Sequence, residues 1–429
     1  MRVVDLSTGM NLEQVDALLT TDDVEQSTEQ RVADILQEVR RRGDDAVCEY
    51  TRRFDEFELT PELMRVPEDH LKAYAEGADD DLVDILHKAA ANVRDFHEQQ
   101  MEESWEYYAG DGVRLGLRRT PIASAGIYIP GGKAAYPSSV LMNVIPAQVA
   151  GVERIAVVTP PRSLDENPLV AAALKMLNLT EVYRVGGAQS IAALAYGTKT
   201  IPRVQKIVGP GNQYVQSAKR QVYGTVDIDM LAGPSEVAIV ADETCDPSWI
   251  AADLLAQAEH DEMAGVWLIT WSRALAASVF DEVQAQLESL DRSTIARTAV
   301  VNRGITFVVA DEYDAIRLVN HIAPEHVEVL MAEPEHVSDN IQNAGAVFIG
   351  RYAPTVVGDY FAGPSHVLPT NRTAHFFSPL GVPDFLKRTS IIRYSGRAIE
   401  RFGEMIEKFA IAEGLTAHAR SITIRRHKA

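Results

Sequence analysis

Apolar positions recur at helical spacing in two early stretches of the chain. Val32, Ile35, Leu36 and Val39 form one stripe, and Leu82, Ile85, Leu86, Ala89, Val93 and Phe96 form a second. Ser27 with Gln30 three residues on has capping-box spacing, so the first helix is predicted to begin near Ser27. Arg40 to Arg42 followed by Gly43 close it with a cationic last turn and a glycine. Both helices read as architectural. From about Gly126 the pattern changes to short β-rich runs at 123–129, 155–159, 181–185 and 205–208, alternating with helical stretches at 138–150, 169–177, 190–196 and 214–222. A second series runs through 236–240, a helix carrying Gln257, then 266–270, 306–309, 326–331 and 346–349. Strand, helix, strand repeated in this way requires parallel sheets covered on both faces, so two α/β lobes are predicted.

Residues 352–390 are rich in Pro and Gly, 397–412 reads as a helix, and a basic tail follows. That last part is too small for a core of its own. The expected partition is an N-terminal extension at 1–25, a discontinuous lobe of 26–125 with 236–380, a second lobe at 126–235 inserted into it, and a C-terminal extension at 381–429.

Composition narrows the function classes. Of 429 residues, 46% are apolar and 24% charged, ordinary for a globular protein. A net charge of −20, from 41 basic and 61 acidic residues, argues against a nucleic-acid or anionic-membrane binder, because both partners would be repelled. It leaves room for a small dinucleotide held by backbone amides. The opening residues Met1 to Leu6 include Asp5 where a secretory signal would be apolar, and no apolar run reaches about eighteen residues, so a cytoplasmic protein is expected. Cys48 and Cys245 are the only cysteines and form no Cys-x-x-Cys pair, so any metal must be held by N and O ligands.

Glycine-rich turns follow several strand candidates: Ile129-Pro130-Gly131-Gly132, Gly186-Gly187-Ala188-Gln189 and Gly209-Pro210-Gly211-Asn212. Such turns let backbone approach a ligand and present helix-start amides to phosphate, though each alone is an ordinary turn. The dinucleotide fingerprint G-x-G-x-x-G is absent, since Tyr214 stands where its third glycine would be. Elsewhere, Gln257 and His260 lie three residues apart, on one face if both are helical. Ala323-Pro324-Glu325-His326-Val327 places a carboxylate beside an imidazole where helix gives way to strand, which offers two bases. Pro334-Glu335-His336 repeats the tripeptide without such surroundings, so the tripeptide alone has little specificity. Gly358 to Thr370 reads as a shaped loop with Asp359 as an available oxygen ligand, and Glu413 to His418 follows the last long helix. Gln257, His260, Asp359 and His418 make an N/O set suited to zinc, but spacing does not select them from among eleven histidines.

Together, Ala256-Gln257-Ala258-Glu259-His260-Asp261, Ala323 to Glu328, Gly358-Asp359-Tyr360 with Gly363 to Thr370, Gly414 to His418 and Ala232-Gly233-Pro234-Ser235-Glu236 resemble the histidinol dehydrogenase family. The resemblance covers nearly the whole chain with order and spacing kept. It implies two Rossmann-like parallel-sheet lobes in an intertwined homodimer. It also implies a zinc-dependent oxidation of L-histidinol to L-histidine through L-histidinal, in histidine biosynthesis, with two NAD and one water. Carried over by position, Gln257, His260, Asp359 and His418 are the zinc ligands, His326 is the base in alcohol oxidation, and Glu325 activates water. Ser235 and Glu413 contact substrate together with His326 and the ligands, and Tyr128, Gln189 and Asn212 line the NAD site. The C-terminal segment would reach into the partner, so Glu413 and His418 would serve the neighbouring site. One departure stands out: the family often has a glutamate after the proline before Gly358-Asp359, whereas Thr355 follows Pro354 here.

A thiol nucleophile is the mechanistic alternative, but Cys48 has aromatic neighbours in sequence and Cys245 sits in an acidic turn that raises its pKa. Other readings are a related dehydrogenase of another small polar alcohol, a zinc hydrolase and a non-catalytic binding module. The hydrolase reading leaves the glycine loops without a purpose.

Overall fold

The computed structural model describes residues 1–19, 26–131 and 136–426. Its framework is two wholly parallel sheets in a mixed α/β arrangement. The six-stranded sheet runs, edge to edge, Arg2–Asp5, Gly304–Val308, Gly265–Thr270, Glu236–Ala241, His326–Leu330 and Ala346–Ile349. Every residue of its four central strands is buried, which is why they read as continuous apolar runs rather than alternating ones. The five-stranded sheet runs Glu181–Tyr183, Arg154–Val158, Ser124–Tyr128, Lys206–Val208 and Asp227–Ile228. In the five-stranded sheet, and in the six-stranded sheet from Glu236–Ala241 onward, the chain builds outward on one side and then crosses to the other. The crossing points lie between Ser124–Tyr128 and Lys206–Val208, and between Glu236–Ala241 and His326–Leu330.

The partition differs from the expected one in three places. Arg2–Asp5 is not part of a separate extension but pairs with Gly304–Val308 as an edge strand. The helices of 26–98 pack on the five-stranded sheet, not the six-stranded one: Val32, Ile35, Leu36 and Val39 join Tyr128, Ala156, Val158 and Ile191 in one core. Leu86, Ala89 and Val93 join Ile127, Leu141 and Val144 in another. A sheet whose strands are so short needs cover on both faces, and these stripes supply it. Third, Trp105–Gly110, Val113–Pro121 and Leu386–Arg393 form an antiparallel sheet that links the expected C-terminal extension to the segment before the inserted lobe.

Smaller differences concern helix ends. Gln26 is already helical in Gln26–Arg42, so the helix starts just before the predicted position near Ser27, and Gln30 bonds Asp34 at 3.0 Å. The helix Asp80–Glu98 is capped by Asp79, which accepts from Leu82 N–H at 3.1 Å; Leu82, Ile85 and Phe96 of its stripe stay exposed. The C-terminal helices Gly396–Ala412 and Thr416–Arg426 pack on each other as a hairpin and bury only Ala398, Gly403 and Ala419. Met405, Phe409 and Ile411 are left uncovered on it. No helix among the described residues is long and apolar enough to cross a membrane.

Candidate functional site

Helix Glu312–Ile322 ends at Ala323, whose left-handed backbone (φ 49°) turns the chain sharply into Pro324, and His326 opens the next strand. Adjacent side chains in an extended strand face opposite ways, but at this turn they converge. Glu325 Oε2 lies 3.6 Å from His326 Nδ1, and both residues are buried. Nδ1 is also 3.0 Å from the carbonyl oxygen of Glu236, which can only accept, so Nδ1 carries the ring proton and Nε2 a lone pair. That Nε2 is buried without a hydrogen-bond partner and lies 3.8 Å from Asp359 Oδ1. Burial pushes the His326 pKa down to about 4, so the ring is neutral at pH 7. Glu325 Oε2 accepts from Glu236 N–H at 2.8 Å, its carboxyl also bonds the Ser235 side chain, and burial raises its pKa well above the ordinary carboxylate range.

Helix Pro247–Ala258 starts on an Asp246 cap that accepts from Ser248 N–H at 2.8 Å. It carries Gln257, buried, in its last turn. His260 lies two residues beyond the helix end, in a turn whose N–H donates to the Gln257 carbonyl at 3.3 Å, so the two are not the helical pair the spacing predicted. Asp359 stands on the short helix Thr355–Tyr360, where a loop was predicted; burial raises its pKa to about 6. His326 thus neighbours both Asp359 and His260, each protonated histidine disfavouring charge on the other.

A further histidine, quoted in the motif but given no role from sequence, joins them. The ring of His366 also interacts electrostatically with His260 and His326, and its Nε2 lies 3.3 Å from Ser138 Oγ at the start of helix Pro137–Val149. That helix follows strand Ser124–Tyr128, so His366 ties the two sheets together at the site. Glu413 and His418 lie exposed on the C-terminal hairpin. Among the described residues no three His, Cys, Asp or Glu stand together as a metal-binding group, so one chain does not bring the four expected ligands into one place.

At the five-stranded sheet, Tyr128 ends its strand buried, its hydroxyl 3.4 Å from the Gly187 N–H, and burial pushes its pKa up to about 12. Gly209, at φ +115°, approaches the Tyr128 carbonyl so closely that a Cβ would collide with it. The loop is fixed from beneath: Lys219 Nζ bonds the Gly209 carbonyl at 2.9 Å, Asp229 accepts from Gly209 N–H at 2.8 Å, and the two charges pair at 2.5 Å out of solvent. Asn212 is exposed and caps helix Gln213–Val222, accepting from Tyr214 and Val215 N–H at 3.1 and 3.2 Å. Gln189 is buried with Nε2 3.4 Å from Asp55 and Oε1 unpartnered. Gly132 of the first glycine turn lies outside the described residues.

A neutral buried imidazole with one free nitrogen beside a buried glutamate, at the start of a strand in a parallel sheet, defines an α/β enzyme that moves protons. The comparisons with known proteins make that class specific. The histidinol dehydrogenase family model matches residues 19–426. The chain is 52% identical to histidinol dehydrogenase of Bacillus subtilis over 92% of this chain and 93% of that one, and 48% identical to that of Aquifex aeolicus over 94% of each. A crystal structure of histidinol dehydrogenase from Elizabethkingia anophelis superposes with TM-score 0.93 at 35% identity, covering 100% of this chain and 98% of the other. The chain belongs to the histidinol dehydrogenase family and is an oxidoreductase.

Proposed function

We propose that this protein oxidises L-histidinol to L-histidine by way of L-histidinal, reducing two NAD and consuming one water, as a step of histidine biosynthesis in the cytoplasm. The observation that carries the reading is His326 Nε2, a buried lone pair with no partner, next to Glu325 and Asp359. Gln257, His260, Asp359 and His418 supply the nitrogen and oxygen donors that zinc takes, and the partly buried Asp359 carboxyl suits a cation beside it. Held by those residues, zinc would supply mainly positioning of the substrate's nitrogen groups rather than Lewis acidity.

In the first oxidation His326 Nε2 takes the hydroxyl proton while the carbinol hydrogen leaves with its electron pair for the nicotinamide. Its Nδ1 bond to the Glu236 carbonyl keeps the ring in the tautomer that can do so. In the second, Glu325 takes a proton from water as oxygen adds to the aldehyde carbon, and the hydrate passes a hydride to a second NAD while one of its hydroxyl protons is lost to solvent. Burial makes ionised Glu325 a stronger base than an exposed carboxylate, and Ser235 and the Glu236 N–H orient it. Ser235 and Glu413 contact the substrate, and Tyr128, Gln189 and Asn212 line the NAD site. The uncovered apolar residues of the hairpin support a homodimer in which each chain lends Glu413 and His418 to the partner's site.

The test is NADH absorbance after histidinol and NAD are added to the zinc-loaded protein, with and without a chelator. A signal abolished by chelation and restored by zinc is expected; no signal from folded, zinc-loaded protein overturns the reading.

A further inference from the structure

Two carboxyl groups with no part in the chemistry above meet behind the site. Glu328 is fully buried on strand His326–Leu330, two residues beyond His326 and therefore on the same face. Asp253 lies on helix Pro247–Ala258, about one turn before Gln257. Glu328 Oε1 accepts from the N–H of Thr355 at 2.6 Å, and the Thr355 hydroxyl bonds the same carboxyl group. Thr355 opens helix Thr355–Tyr360, about one turn before Asp359. The departure from the family pattern at Thr355 therefore falls on this network.

The Asp253 and Glu328 carboxyl groups are placed to bond each other, and Glu328 Oε2 is buried with no N–H directed at it. The bond exists only if one acid keeps its proton, because two facing carboxyl groups, Glu328 fully buried and Asp253 partly so, resist being ionised together. Burial acts in the same direction on both, raising Asp253 to about 6 and Glu328 well above the ordinary range. A hydrophobic pair of similar volume would hold a helix on a sheet at least as well. What the acids add is direction, since each bond fixes an angle as well as a contact.

We propose that Asp253, Glu328 and Thr355 are positioning residues: one proton shared by the two acids staples together the three elements that carry Gln257, Glu325 with His326, and Asp359. Residues behind metal ligands set their orientation, and losing such support costs roughly 10- to 100-fold in metal affinity. The metal readout rests on the zinc site proposed above; the shared proton does not.

The test uses the full-length protein and the variants Asp253→Asn, Asp253→Ala and Glu328→Gln. In metal-free protein at pH 7, the wild-type minus Glu328→Gln infrared difference spectrum is expected to show the carbonyl stretch of a protonated carboxyl. Its absence overturns the shared proton. Asp253→Asn keeps the shape and offers an N–H to Glu328, so zinc affinity, by competition with a chelator, should stay within about threefold of wild type. Asp253→Ala should lose about tenfold or more and lower kcat for histidinol. Wild-type zinc affinity in folded Asp253→Ala, or equal losses in the Asn and Ala variants, overturns the positioning role. Wild-type protein that takes up no zinc overturns that role together with the zinc site, while the infrared band still reports on the proton.

Discussion

At the five-stranded sheet the loops around Tyr128, Gly187 and Gly209 follow the carboxyl ends of strands and lead into helix starts. At the six-stranded sheet Ser235, Glu325 and His326 stand at the amino ends of strands, and Gln257 closes a helix. The difference is one of polarity. Helix starts expose N–H groups and a partial positive charge, which suit the pyrophosphate of a dinucleotide. Helix ends expose carbonyls and a partial negative charge, which suit a cation and its nitrogen and oxygen ligands. A parallel sheet therefore offers two chemically opposite edges, and the proposed function would draw on a different one at each sheet, with His366 and Ser138 in contact between them.

The sharpest way to break that division is His326→Ala. Removing a positioned base is expected to cost about 10²- to 10⁴-fold in kcat with histidinol. Oxidation of histidinal should suffer less, because the second step leans on Glu325. NADH binding, followed by fluorescence titration, should not change, since the loops of the other sheet are untouched. A parallel loss of nucleotide binding would show that the two edges are not separate.

The reciprocal change is Lys219→Met. It leaves Asp229 charged and unpaired beneath the Gly209 loop, where the pair is 1% exposed on both sides. Breaking such a pair costs about 3–5 kcal/mol, which a lowered Tm would report. KM for NAD should rise while zinc uptake by the folded protein stays at its wild-type level. Weakened zinc binding with intact nucleotide binding would reverse the assignment of the two edges.

The sequence carried the buried parallel strands clearly, because a strand covered on both faces is a continuous apolar run between turn residues. It carried the Glu325 and His326 pair through Pro324 and the change from helix to strand. Other parts left no periodic trace. All six residues of Trp105–Gly110 are exposed, and Leu386–Arg393 joins the same antiparallel sheet from far along the chain. Arg2–Asp5 is too short for alternation to register. The stripe at Val32 to Val39 announces a buried face but not which sheet it meets. His260 was placed on the helix because spacing cannot see that the helix stops at Ala258. His366 sat inside a quoted motif, and only its approach to Ser138 and to the other histidines gives it a place.

The smallest expected effect comes from the thiols, which lie on neither edge. Cys48 is half-buried against the core that holds Val47 and Met64, and burial, helped by Asp44, Asp45 and Glu62, pushes its thiol up to about 11. Cys245 is buried and pushed up to about 11 mainly by burial rather than by the acidic turn around it. At pH 7 a thiol with such a pKa is ionised in only about one molecule in ten thousand, so alkylation should be slow. It should quicken about tenfold per pH unit as the thiolate fraction grows toward pH 11. The Cys48→Ala, Cys245→Ala double variant should therefore keep its kcat within about twofold, because no covalent intermediate on sulfur is needed. Complete loss of aldehyde oxidation in that variant, with circular dichroism unchanged, would mean that a sulfur nucleophile does the work assigned to Glu325 and water, and that the chemistry is not confined to the amino edge of the six-stranded sheet.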